Sequence, residues 1–350
     1  MKHNSIRKRF IKNFSLTLFF ILFTSIPFYS QSDWFEQESE NFKIIYRESH
    51  AHLVPQLFHS AETALTTLKK LFNYSPSEKI IINTYDAYDY GYGAATSVPQ
   101  NFIRLEIEPM EPGYESIPYN DRFQWIISHE LVHIVVNDHS SNVESFAKSL
   151  FSKVVPEQIQ PLTIIYSLLT NYNRYTPRWH QESIAVFLET WMNGGYGRTM
   201  GSFDEMYFRS LVLDNQDFPS EIELDTKTSH NSFLLETIFY IYGSRFASYL
   251  TLKYGPEKLI KWFKTEPGEF YQNFASKFFD IYKADMISAW NEFINFEKDF
   301  QKSNIQKLKS YPQTEVKRLS KENFGWITQP YLDKSGNNVF FWISSLTSTC

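Results

Sequence analysis

The chain has 350 residues, of which 43% are hydrophobic and 18% aromatic, and its formal net charge is −5. This composition supplies enough apolar surface for one large domain or two domains, and it excludes a disordered or fibrous protein. The acidic balance disfavours a nucleic-acid partner, and the single cysteine, Cys350, excludes a disulfide framework.

The first 32 residues have the layout of a secretory signal peptide. Basic residues extend to Lys12, the apolar run FSLTLFFILFTSIPF follows at 14–28, and the small residues Ser30 and Ser32 precede Asp33. The alternative is an anchor that keeps the chain in a membrane. We expect removal of residues 1–32 during export to the bacterial periplasm, the outer membrane or the medium, which leaves no membrane-spanning segment.

The next segment predicts a strand–helix–strand unit. The β-branched runs FKIIYR (42–47) and KIIINTYD (79–86) are typical of strands, and apolar residues at helical spacing predict a helix over 52–72. A segment rich in Gly and small residues follows at 90–101. FIRLEIEP (102–109) then alternates like a strand with one solvent-facing side.

A long helical region follows. Asn120 or Asp121 can cap a helix that runs to about Asn137, and Pro156 and Pro161 interrupt the helical segment after it. Another helix begins at Thr176-Pro177 and is stopped by Gly194-Gly195. Every strong signal from 203 to about 309 is helical.

The character changes again near residue 315. The runs TEVKRLS, GWITQPYL and NNVFFWISS predict short strands separated by a turn at 333–337. These strands cannot close a sheet by themselves, so we interpret 315–350 as part of an incomplete repeat domain. The predicted domains are therefore 33–310 and 315–350.

The strongest functional signal is HELVH at 129–133. Two histidines at i and i+4 lie on one helix face, as zinc ligands require, and Glu130 is then placed to take a proton from zinc-bound water. The alternative is an ordinary helix with two hydrogen-bonded histidines. The flanking residues, such as Ile127 and Val135, predict that this helix is buried, where the polar side chains need a compensating partner. We therefore predict a bound Zn²⁺ ion.

Two residues compete for the position of third ligand. His139 has the spacing of the HExxHxxGxxH motif, but Val136 stands where that motif needs a glycine in a left-handed conformation. Glu182 lies early in a capped helix, and a His/His/Glu set leaves the fourth zinc position for water. The alternative for Glu182 is a solvated carboxylate. His180 points off the face of Glu182, which predicts a surface or hydrogen-bonded histidine and makes it a weaker ligand candidate.

These motifs resemble those of a known family. HELVH followed by PRWHQESIAVFLET at 177–190 is similar to the gluzincin metallopeptidases, specifically the peptidase-MA-like domains of exported bacterial proteins. The resemblance covers about 40–310, including GYGAATSVPQN, GGYGRTMGSFDEMYFR and YIYGSRFASYLTLKYG. Residues 315–350 are similar to the first strands of a TolB-like β-propeller. The implied fold class is α+β and thermolysin-like, with an N-terminal α/β sheet, the HExxH helix and a helical C-terminal subdomain.

The resemblance also implies a set of site residues. His129, His133 and Glu182 would bind one Zn²⁺ ion, and Glu130 would act as general base and acid in peptide-bond hydrolysis. Tyr240 is the candidate donor to the oxyanion, with Tyr242 as the second choice and a core position as the alternative for both.

The implied partner is a peptide or protein substrate, extended against an edge strand, with a further protein partner on the propeller. An endopeptidase is slightly favoured, because no acidic cluster precedes HELVH to anchor an amino terminus. Two rival functions remain open, a non-catalytic scaffold stabilised by zinc and a zinc hydrolase of non-peptide substrates. The intact Glu130 counts against the scaffold, since metal binding alone does not need it.

The chain departs from the family pattern at two positions. Ser183 replaces the usual Gly after the metal-binding Glu, and Val186 stands where thermolysin-type enzymes carry an Asp that orients a ligand histidine. That carboxylate must come from elsewhere. Glu189, two turns beyond Glu182, is a candidate for a pocket residue or for a structural ion pair with Arg198, and the structural role is favoured.

Overall fold

The computed structural model describes residues 33–87, 91–108, 119–226, 233–270, 272–322, 326–327 and 330–344. The predicted signal peptide at 1–32 lies outside the described residues. The described part of the chain is a mixed α+β structure with a small sheet and a larger helical region, in agreement with the predicted fold class.

Five strands form one sheet: β1 (Trp34–Glu38), β2 (Phe42–Arg47), β3 (Ile80–Tyr85), β4 (Gly93–Thr96) and β5 (Phe102–Glu106). Their spatial order is β1-β2-β3-β5-β4. The middle strand β3 runs parallel to both β2 and β5, whereas β4 is antiparallel to β5 and forms one edge of the sheet. The predicted strands at 42–47 and 79–86 are thereby confirmed, and the strand predicted at 102–109 ends earlier.

The described residues form eleven α-helices: α1 (Val54–Phe72), α2 (Arg122–Asp138), α3 (Asn142–Phe151), α4 (Pro161–Thr170), α5 (Arg178–Met192), α6 (Ser202–Leu213), α7 (Glu221–Thr226), α8 (Phe233–Tyr254), α9 (Pro256–Phe263), α10 (Phe274–Tyr282) and α11 (Met286–Lys309). Three short 3₁₀ helices accompany them, at 48–53, 172–175 and 198–200.

The ends of α2 and α5 follow from local sequence. Asp121 caps α2 by accepting a hydrogen bond from the amide of Gln124 at 2.9 Å, as predicted. Helix α5 begins one residue after Pro177, which is its N-cap rather than its first helical residue. Gly194 and Gly195 follow α5 with φ of 69° and 92°, conformations that favour glycine and stop the helix.

The core is centred on α2. This helix packs against α1, α5 and the edge strand β4, and α5 in turn packs against α8. Ile127, Leu131, Ile134 and Val135 of α2 are completely buried. The prediction that the HELVH helix lies in the core is therefore confirmed, and its polar side chains sit between α2, α5 and β4.

The C-terminal strands are short. β6 (Trp326–Ile327) pairs antiparallel with β9 (Ile343–Ser344), and β7 (Tyr331–Leu332) pairs antiparallel with β8 (Val339–Phe340). Both residues of β7 and of β8 are exposed. The segment TEVKRLS at 314–320 has no regular structure, so the strand predicted there is wrong. The propeller and the domain boundary near 310–315 stay predictions. Among the described helices, none has the length and apolarity needed to span a bilayer.

Candidate metal centre

The three predicted ligands come together between α2 and α5. The Nε2 atoms of His129 and His133, one helical turn apart, are separated by 3.1 Å. Oε2 of Glu182 on α5 lies 3.2 Å from Nε2 of His129 and 3.3 Å from Nε2 of His133. His129 and Glu182 are buried and His133 is half-buried. Three donor atoms from two helices therefore converge on one point.

This triangle has the size of one face of a zinc tetrahedron. Nitrogen and oxygen ligands bound about 2.1 Å from zinc lie roughly 3.3 Å from one another, and the three distances here are 3.1, 3.2 and 3.3 Å. Oε2 of Glu182 is buried and makes no hydrogen bond, which is unfavourable for a carboxylate unless another partner is supplied. The residues therefore fit one Zn²⁺ ion, with a fourth ligand position for water.

The charges of the cluster are coupled. Burial would raise the pKa of Glu182, but His133 and His129 lower it far below the usual range. Burial and Arg198 oppose a charge on His129, but the nearby carboxylates of Glu182 and Glu189 raise its pKa to about 9. Without a metal, the His129 ring is therefore protonated on both nitrogens at neutral pH. Metal binding through Nε2 must release the proton on that atom.

Glu130 is wedged between α2 and the edge strand. Its side chain is buried, and this burial raises the pKa of its carboxyl group. The carboxylate lies directly against Gly93 of β4, where an added Cβ atom would come within 2.5 Å of Oε1 of Glu130. A glycine at this position thus leaves the space that Glu130 occupies beside the metal ligands.

The carboxylate that orients a ligand histidine is Glu189. Its Oε2 atom lies 2.7 Å from Nδ1 of His129, and Arg198 donates to Oε2 at 2.6 Å and to Oε1 at 2.9 Å. Burial would raise the pKa of Glu189, but Arg198 and His129 lower it to about 2, so it is ionised. The ion pair predicted with Arg198 is confirmed. The contact of Glu189 with Nδ1 of His129 was not predicted, and it holds the His129 ring with Nε2 toward Glu182.

Tyr240 lies beside the cluster. Its ring centre is 6.2 Å from that of His129, and the Arg198 guanidinium carbon is 4.5 Å from the Tyr240 ring. Burial raises the pKa of Tyr240, so its hydroxyl keeps its proton at neutral pH. Tyr242 is fully buried in an aromatic core, with its ring centre 5.0 Å from that of Phe208. The catalytic role of Tyr240 stays a prediction.

The two remaining ligand candidates among the histidines have separate surroundings. His139 follows the last residue of α2, with its ring edge-on to Tyr74 at 5.9 Å, and it is not part of the donor cluster found among the described residues. His180 is buried, with Nδ1 3.0 Å from Oγ1 of Thr176 and its ring stacked on Phe263. Burial lowers the pKa of His180 to about 3. The hydrogen-bonded alternative for His180 is confirmed, and the surface alternative is wrong.

Comparison with known proteins adds little to this geometry. No protein-family model matches the chain, and no curated protein matches it. Among solved structures, the chain is similar to the crystal structure of an aminopeptidase N family protein from Idiomarina loihiensis, with 12% identity and a TM-score of 0.30. The match covers 81% of this chain and 44% of that one, so this chain spans less than half of its length. The functional argument therefore rests on the site itself.

Proposed function

We propose that the protein is a zinc-dependent metallopeptidase of the gluzincin type. The observation that carries the proposal is the convergence of His129, His133 and Glu182 on one point, with Glu130 next to His129 in the sequence and buried against β4. A structural zinc site is closed by four protein ligands. The cluster among the described residues has three donors, which suits a catalytic site.

Each residue of the site has its own role in peptide-bond hydrolysis. A bound zinc ion would lower the pKa of its water and polarise the substrate carbonyl. Glu130 takes the proton of the attacking water on its carboxylate and delivers it to the leaving amine. The raised pKa of Glu130 favours this temporary protonation. Tyr240, which keeps its proton, donates to the oxyanion.

The substrate would be an extended peptide on the edge strand β4. One side of β4 is paired with β5, and the strand packs beside α2. A peptide that adds to such an edge pairs through its main chain, which places a carbonyl near Glu130 without fixing the side chains. We propose an endopeptidase in an exported protein, with a C-terminal propeller that offers a surface to a protein partner.

A peptide-library digest with the zinc-loaded protein tests this function. Wild-type protein should cleave a subset of peptides, and Glu130→Gln should retain zinc while its turnover falls by about 10²–10⁴-fold, the range for loss of a general base. Glu257→Gln, which alters an exposed carboxylate, is the control and should leave turnover unchanged. Full peptidase activity in Glu130→Gln would contradict the mechanism. Zinc binding without any peptide cleavage would favour a scaffold or a hydrolase of other substrates.

A further inference from the structure

The helical hairpin formed by α3 and α4, residues 142–170, has an apolar outward face. Residues at i, i+3 and i+7 spacing form one exposed stripe on each helix, and the connecting loop adds another apolar side chain. The exposed fractions are Val143 60%, Phe146 66%, Leu150 59%, Ile159 87%, Leu162 78%, Ile165 53% and Leu169 54%. Each of these seven side chains is more than half exposed, and apolar side chains exposed together on one element are typical of an interaction site.

The exposed surface of the hairpin is almost free of charge. Within residues 142–170 the charged side chains are Glu144, Lys148, Lys153 and Glu157, and of these only Glu157 is exposed. Lys153 is ion-paired with Asp138 at 2.6 Å, and Lys148 donates to the hydroxyl of Ser140 at 2.6 Å. A surface that docks on another protein normally has a polar, charged rim around its apolar centre. This hairpin exposes one carboxylate, Glu157, with the neutral side chains of Gln158 and Gln160 beside it.

The hydroxyl groups of α4 are hydrogen-bonded within the hairpin or to its base. Tyr166 donates to the carbonyl of Ser152 at 2.9 Å, and Ser167 bonds to the hydroxyl of Tyr175 at 2.7 Å. Thr170 donates to the carbonyl of Tyr166 at 2.8 Å. Helix α4 thus buries Ser167 and Thr170 and exposes its leucines. This is the reverse of a water-facing helix, and it meets the requirement of hydrocarbon that polar groups be satisfied internally.

We propose that the α3–α4 hairpin docks the protein on a lipid bilayer by inserting its two apolar stripes into a neutral leaflet. Each helix has 10 residues, a length of about 15 Å that cannot cross a hydrocarbon core of about 30 Å. The hairpin therefore lies in the interface and does not span the membrane. Its exposed charge is Glu157, and its two cations, Lys153 and Lys148, are held by Asp138 and Ser140, so a zwitterionic bilayer is the fitting partner.

The base of the hairpin reaches the strand proposed to bind substrate. Nη1 of Arg174, just after α4, donates to Oγ1 of Thr96 in β4 at 3.3 Å. Asn173 donates to the carbonyl of Val136 in α2 at 3.0 Å. Docking would therefore hold β4 near the lipid surface. The docking itself does not depend on the proposed peptidase function.

A fluorophore at the tip of the hairpin tests the proposal directly. In the full chain, Cys350→Ser removes the native thiol, and Ile159→Cys carries an environment-sensitive label. Phosphatidylcholine vesicles should shift its emission to the blue, and nitroxides on the acyl chains should quench it. The matched control is a label at Leu252→Cys, a position 76% exposed, which should show neither effect. Because the readout is local, attachment elsewhere in the chain does not produce it.

A pair of substitutions then tests the stripe. Leu162→Gln with Ile165→Gln, in the background labelled at 159, should lower the vesicle partition coefficient at least about tenfold. Leu252→Gln with Ile287→Gln, at positions 76% and 54% exposed, is the matched control and should leave it unchanged. Absence of a blue shift with any vesicle overturns the proposal, as does binding to anionic vesicles alone. A blue shift without lipid that is lost on dilution would overturn it in favour of a second copy of the chain.

Discussion

The metal cluster and the α3–α4 hairpin both reverse the usual distribution of polar and apolar side chains, but in opposite directions. The cluster buries His129, Glu182 and Glu189, whereas the hairpin exposes Phe146 and Leu162. Buried charges need partners within the fold, and exposed apolar groups need a partner outside it. The donors of the first region could hold one small ion, whereas the apolar side chains of the second face outward, which is the basis of the docking proposal.

The contact between Glu130 and β4 can be disturbed without changing an ionisable residue. Of the substitutions considered in this comparison, the one that does so should have the largest effect on turnover. Gly93→Ala would place a Cβ atom 2.5 Å from Oε1 of Glu130 and push the base away from the metal ligands. Because a displacement of about 1 Å can slow a reaction about 10²-fold, turnover should fall by about that factor while the zinc content stays the same. Gly268→Ala, where an added Cβ meets no atom within 4 Å, is the matched control. Equal turnover in both variants would show that the position of Glu130 against β4 does not matter for the reaction.

The pair of Glu189 and Arg198 gives the next largest effect. Glu189→Gln keeps the side-chain shape but removes the negative charge that holds Nδ1 of His129. Zinc affinity, measured by competition with a chelator, should fall about 10–100-fold, as for other outer carboxylates. Glu205→Gln, on the neighbouring helix α6, is the control. Unchanged affinity in Glu189→Gln would mean that the ion pair only supports the fold.

Asp204 shows what burial does to a carboxyl group with an oxygen that makes no hydrogen bond. Its Oδ2 atom is buried and makes no hydrogen bond, and burial raises the pKa of the carboxyl to about 7. The folded state then binds more protons than the unfolded state between about pH 4 and pH 7. The free energy of unfolding should therefore fall as pH rises through this window, by up to about 1.4 kcal/mol per pH unit from this residue.

Denaturant titrations at several pH values measure this slope. In Asp204→Asn, the part of the pH slope that comes from Asp204 should be absent. This variant should be more stable than wild type above pH 7, because it has no buried carboxylate at this position to ionise. Asp214→Asn, at an exposed position just after the same helix, should follow the wild-type curve. Parallel curves for wild type and Asp204→Asn would show that Asp204 finds a partner in solution.

Much of the ligand set could be predicted from the sequence, because its signals are local. The spacing of His129 and His133 on one helix face follows from helix geometry alone. Val136 argued against His139 on backbone grounds, and the structure indeed brings Glu182 to the histidines. These inferences need only the period of a helix and the conformational limits of a β-branched residue.

The rest depends on tertiary packing. Glu189 shares a helix face with Glu182, but its contact with His129 depends on how α5 lies against α2, which no local pattern specifies. The apolar stripes of α3 and α4 would look the same if they faced a core. TEVKRLS has alternating strand-like residues but no partner strand in the described part of the chain, and strand formation needs pairing.

Metal analysis of three proteins tests the central claim most directly. After exposure to Zn²⁺ and gel filtration, the wild-type chain should contain one ion, Glu182→Ala should contain almost none, and His139→Ala should match the wild type. Glu182 offers a buried carboxylate oxygen to both histidines, whereas His139 packs on Tyr74. Full zinc in Glu182→Ala together with loss of zinc in His139→Ala would contradict the His129/His133/Glu182 site.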